Sequence, residues 1–190
     1  TSNTYNMGTL LDANDVITGA AALTDIMTIT ASGTGSATIT AVDTIQFTTS
    51  TAAQTFTTGA IALPAAGTIT AAGSTVAVTI NAAALNATTS ANIIDGAGND
   101  TITVPSVATE RVLTTVTLST GGADSIIIGN TAGVTTTNSV AIASFTTGIT
   151  AEADTIDLKI TNAATELTSF LTVSALAAAV PNNNAMIEVN

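Results

Sequence analysis

The chain has 190 residues, only 8% of them charged, with no cysteine, no histidine and a net charge of −11. Disulfides, Cys/His zinc centres, Ser–His–Asp triads and Cys–His pairs are thereby excluded. With Arg111 and Lys159 as its only cationic side chains, the chain is unsuited to nucleic acid or to an anionic membrane surface.

Threonine is the commonest residue, 42 of 190, followed by 36 alanines. The aromatic residues are Tyr5, Phe47, Phe56, Phe145 and Phe170. A core built from Ile, Val, Leu and Ala suits thin stacked layers, and Thr, Val and Ile together favour strands. The absence of any run of 18 apolar residues predicts no transmembrane helix. The start at Thr1 leads us to expect a processed chain or a fragment of a longer surface protein.

In chain order, β-branched clusters predict strands within 25–33, 36–49, 67–73, 74–82, 100–104, 111–120, 124–130, 139–145 and 154–160. Gly, Asn, Asp and Ser punctuate them. Helix is expected at two places only: a short turn within 81–89, and 164–180, where Leu167, Phe170, Leu171, Leu176 and Val180 fall near helical spacing before Pro181. The pattern predicts a single all-β domain over 1–190: a β-solenoid of the parallel β-helix or β-roll kind, with a β-sandwich as the alternative.

A tripeptide Asp-x-Ile recurs at Asp15, Asp43, Asp100, Asp124 and Asp154, with Asp25-Ile26-Met27 a near relative. Residues i and i+2 of a strand share a face, so each Asp stands at a strand's rim and each Ile anchors in the core. The intervals are irregular, 10, 18, 57, 24 and 30 residues, which predicts a degenerate array.

Within "IIDGAGNDTITV" (93–104), Gly96, Gly98, Asp100 and Ile102 fit the nonapeptide G-G-x-G-x-D-x-U-x, with Asp95 in the first glycine position. Glycines free the turn backbone to aim carbonyl oxygens inward, and carboxylates complete the 6–8 oxygen ligands that calcium takes. Gly122 and Asp124 with Ile126 form a second partial copy. Asp12, Asn14, Asp15 and Asp25 look like a decayed one, for which solvated turn carboxylates are an equal explanation. On these residues the chain resembles RTX-like calcium-binding bacterial surface-layer proteins. The segment 144–158, with Gly148, Asp154 and Asp157, resembles the stretch that closes RTX regions.

That resemblance implies calcium turns at Asp95, Gly96, Gly98, Asn99, Asp100, Gly122, Asp124, Asp12, Asn14, Asp15, Asp25, Asp154 and Asp157. It also implies type I export and an extracellular or cell-surface location. We expect a structural, self-assembling homo-oligomer, lattice or filament, stabilised by Ca2+, without nucleic-acid partners or membrane insertion. A cell-surface glycan is one candidate anchor. Four T-I-T tripeptides raise an adhesin or ice-binding module as the alternative, although their uneven spacing argues against one flat threonine ladder. A polysaccharide-acting enzyme ranks third, because aromatic platforms for sugar are nearly absent, and no catalytic residue is assigned.

Overall fold

A computed structural model describes residues 2–8, 11–12, 14–30, 33–35, 38–48, 52–58, 63, 67–85, 91–105, 114–119, 121–129, 140–146 and 153–159. They form fifteen strands: β1 (Thr4–Gly8), β2 (Val16–Thr18), β3 (Ile26–Ile29), β4 (Gly33–Gly35), β5 (Thr38–Thr40), β6 (Thr44–Phe47), β7 (Gln54–Thr58), β8 (Gly67–Thr70), β9 (Val78–Asn81), β10 (Ala91–Ile94), β11 (Thr101–Thr103), β12 (Thr114–Thr117), β13 (Ser125–Gly129), β14 (Val140–Ala143) and β15 (Thr155–Lys159). No helix occurs among the described residues. Residues 81–85, where a helical turn was expected, end β9 and then make a turn, because Asn81 still pairs in the sheet and its carboxamide oxygen caps the amide of Ala83. The expected helix at 164–180 lies outside the described residues.

The strands build a parallel β-solenoid. A seven-stranded sheet has the order β1-β3-β6-β8-β10-β12-β14, and a six-stranded sheet has the order β15-β13-β11-β9-β7-β4. A short third sheet, β2-β5, adds another side near the N-terminal end. From β6 onward the chain alternates between the two large sheets, so each strand of one plus the next strand of the other makes one rung. Stacked parallel strands lie about 4.8 Å apart, and equivalent residues fall in files along the stack.

The inward files fill the space between the sheets. Met27, Ile45, Ile69, Ile93 and Val116 follow one another in register on the seven-stranded sheet, all fully buried. Phe56, Ile80, Ile102 and Ile126 face them from the six-stranded sheet. Phe47 and Phe56 meet edge to face between the two sheets, centroids 5.6 Å apart. Burying each such side chain contributes about 1.5–3 kcal/mol, which explains why a chain with so few aromatics still closes a core.

The Asp-x-Ile signal is resolved completely. Asp15, Asp25, Asp43, Asp100, Asp124 and Asp154 each stand one residue before a strand, and the residue two places on points into the core. Within the segment expected to be one strand, β5 and β6 are separated at Ala41, which takes the left-handed value φ 53°.

Candidate metal centre

Two carboxylate ladders run along the strand starts. In the N-terminal ladder, Asp43 Oδ2 accepts the amide of Asp25 at 2.7 Å, and Asp25 Oδ1 accepts the amide of Asn3 at 2.6 Å. The other oxygen of Asp25 accepts the amide of Ala20, five residues back in its own turn. In the C-terminal ladder, Asp154 Oδ1 accepts the amide of Asp124 at 3.1 Å, Asp124 Oδ1 that of Asp100 at 2.8 Å, and Asp100 Oδ1 that of Val78 at 2.6 Å. Asp100 Oδ2 closes its own turn on the amide of Gly96 at 2.7 Å, and Asp154 Oδ2 does the same with Thr146 at 2.6 Å. In Asp25, Asp100 and Asp154 one oxygen therefore closes a turn while the other holds the preceding rung. This is a structural use of aspartate that requires no ion.

Asp95 is different. It follows β10 in the inward file that reads Ile29, Phe47, Ala71, Asp95 and Leu118, so a carboxyl group stands where its neighbours are apolar. Its residue exposure is 0%. Oδ1 accepts the amide of Ser119 from the next rung at 2.5 Å, but Oδ2 is buried with no hydrogen-bond partner. One carboxylate oxygen each from Asp95, Asp100 and Asp124 lies within 4.8 Å of the others, and all three residues are buried. Two oxygens ligating one calcium at about 2.4 Å are at most about 4.8 Å apart, so the spacing fits a shared cation. Among the described residues, no other group of three acidic side chains is so placed.

The electrostatics agree with the geometry. Burial, then the carboxyl group and charge of Asp124, push the Asp95 carboxyl up to about 8, against the opposing pull of the Ser119 amide. Asp100 is raised by burial, although the Val78 and Gly96 amides work against that shift. Asp124 is raised by burial too, with the Asp100 amide opposing. Three carboxylates gathered out of water without a cation favour holding a proton; a divalent cation supplies the missing positive charge. The donorless Oδ2 of Asp95 is the position from which such an ion is held, and it meets the demand of a hard cation for oxygen. By contrast, the amides of Ala20 and Asn3 hold Asp25 below the usual aspartate range, the condition of a satisfied carboxylate.

The structure thus brings one oxygen each of Asp95, Asp100 and Asp124 together; Gly96 and Asp154 adjoin the trio through hydrogen bonds, and Asp12, Asn14, Asp15 and Asp25 belong to other turns. The Gly96 amide faces Asp100, and the Gly96 carbonyl accepts the Ser119 hydroxyl. Asn99 Oδ1 accepts the amide of Ala123 at 3.0 Å, a tie to the next rung. Gly98 and Gly122 are turn positions where successive rungs touch: a Cβ at Gly98 would meet the backbone of Val76 at 2.5 Å, and one at Gly122 would run into the carbonyl of Gly98. Asp12, Asn14 and Asp15 cap one another, with the Asn14 amide on Asp12 Oδ1 at 2.7 Å and the Asp12 amide on Asp15 Oδ2 at 2.8 Å. Asp154 is committed to amides as described, and Asp157 lies half-buried in the outward file of Ile127. Gly148 lies outside the described residues. Sequence reasoning missed Ser119; only its place at the head of the second motif copy pointed to it. No family model, curated protein or solved structure matches this chain.

Proposed function

We propose that this chain is a structural, self-assembling extracellular subunit whose solenoid is stabilised by calcium at Asp95, Asp100 and Asp124. The observation that carries this reading is the buried trio with its donorless Asp95 oxygen, placed between two rungs where an ion can only brace the stack. Calcium at about millimolar concentration occupies sites with a dissociation constant of roughly 10⁻⁴–10⁻³ M and stabilises the folded form by mass action.

Self-association is supported by the sheet faces. The outward files of the six-stranded sheet hold Thr55, Thr79, Thr101, Ser125 and Thr155 in one row and Thr57, Asn81, Thr103, Ile127 and Asp157 in the other. Asp157, at the end of the second row, is their only charge, on a molecule of net charge −11. Such a face meets its own copy with little charge repulsion, and the chain has a single lysine, Lys159 in the edge strand β15, to guard the sheet against association.

The unbroken hydroxyl row also favours a second reading, an adhesin or ice-binding module. The row is not made by the four T-I-T tripeptides, which fall in three different sheets, but by Thr55, Thr79, Thr101, Ser125 and Thr155 stacked in register. Negative-stain microscopy in millimolar calcium and after chelation tests the main reading. Ordered assemblies that disperse on chelation are expected. Assemblies indifferent to chelation would remove the calcium role, and monomers throughout, together with thermal hysteresis in solution, would favour the second reading.

A further inference from the structure

We infer that the solenoid depends on its cation unevenly: carboxylate-to-amide bonds run along both ladders, and the junction that attaches strands β12 to β15 needs, in addition, the cation at Asp95, Asp100 and Asp124. Loss of the cation therefore loosens the C-terminal strands and leaves the N-terminal ones closed. The inference rests on the cation reading above and adds where along the molecule that ion acts.

Asp25 has an amide on each oxygen, from Asn3 and Ala20, and Asp43 takes the Asp25 amide. Among the described residues no acidic trio gathers there, so nothing calls for a further positive charge. At the other ladder, Asp100 is tied backward to Val78 and to Gly96 in its own turn. Asp95 and Asp124 belong to successive rungs, and their carboxylates meet across the junction between β10–β11 and β12–β13.

Without an ion these charges oppose one another at that junction, in a buried setting where screening by water is weak. The β10–β12 and β11–β13 backbone ladders cross it, together with the Ser119 hydroxyl to the Gly96 carbonyl, the Ser119 amide to Asp95 Oδ1, the Asp100 amide to Asp124 Oδ1 and the Ala123 amide to Asn99 Oδ1, and the buried repulsion works against them. A cation converts the repulsion into a clamp. Its effect falls on the rungs stacked beyond the junction, because Asp124, the ligand on their side, is then drawn toward Asp95 and Asp100 instead of repelled by them.

Regional hydrogen–deuterium exchange of the full chain, with calcium and with chelator, tests this, alongside calcium titration calorimetry. At calcium ten times the dissociation constant, mass action gives roughly tenfold slower exchange in 114–129 and 140–159, with no change in 3–48. The Asp95→Asn variant should lose the calcium response in the C-terminal strands while 3–48 stays protected. The Asp25→Asn variant should lose protection near β1 equally with and without calcium. Calcium binding with the same protection gain in both regions would overturn the inference but not the site. Failure of calcium to bind at all would overturn the site and the inference with it.

Discussion

Asp95 shows how much one side chain in an inward file can decide. Ala71 precedes it and Leu118 follows it in the file, both buried, yet Asp95 carries a carboxyl group with one oxygen lacking a donor. Its ionisation is pushed up to about 8, whereas the unfolded chain has the ordinary aspartate value of 3.8. Between those values the cation-free folded state holds more protons than the unfolded state, so its stability falls as pH rises from about 4 to about 8. Calcium competes with that proton, so stabilisation by calcium should grow over the same window. Melting curves at pH 5 and pH 8, with calcium and with chelator, check both directions. At pH 8 in chelator, Asp95→Asn should raise the melting temperature, because the new amide donates to Asp124 instead of repelling it. A hydrogen bond to a charged group contributes about 2 kcal/mol, equivalent to about 4–8 °C for a chain of this size. The same variant should show no calcium-dependent shift. An unchanged calcium shift in that variant would remove Asp95 from the site.

At the scale of elements, the turns are the constrained part of the fold. Gly98 sits over the Val76–Ala77 peptide, and Gly122, at φ +93°, sits over Gly98. Gly73 lies in a turn where the nearest atom to a Cβ would be 3.6 Å away. Gly122→Ala combines left-handed backbone strain with a backbone clash and should cost about 3 kcal/mol or more in denaturant unfolding. Gly73→Ala should fall within about 0.5 kcal/mol of the parent. Equal effects of the two would show that turn stacking is not what these glycines serve.

The sequence disclosed the strands that begin with Asp-x-Ile from Asp43 onward, because there the rim residue and the core residue are both chemically distinct; it did not disclose β2, which follows Asp15. It did not disclose β1, β7 or β10, whose sequences TYNMG, QTFTT and ANII lack that opening. Their strand character comes from neighbours already in place. The trio was half legible: Asp95 and Asp100 share one motif, whereas Asp124 joins them only through the stacking of Ser125 on Thr101. What the sequence hid is the backbone amides that hold both oxygens of Asp25 and of Asp154, as they also hold those of Asp100.

Across the whole molecule, charge and surface are segregated. The described aspartates cluster at strand starts and turns, and the broad sheet faces are hydroxyl-rich and almost uncharged. If assembly uses the six-stranded face, Thr101→Lys, at the centre of its hydroxyl row, should disrupt lateral association while leaving the melting temperature nearly unchanged. Light scattering and microscopy would show it. Assembly unaffected by that lysine would place the contact elsewhere.

Every pairing in the two large sheets is parallel, from β1 on β3 to β13 on β15. The molecule accordingly has a head and a tail that differ. Copies joined end to end would meet through unlike surfaces, a union that has no reason to stop at two. A fibre made that way would have distinguishable tips, and growth could proceed faster at one of them than at the other.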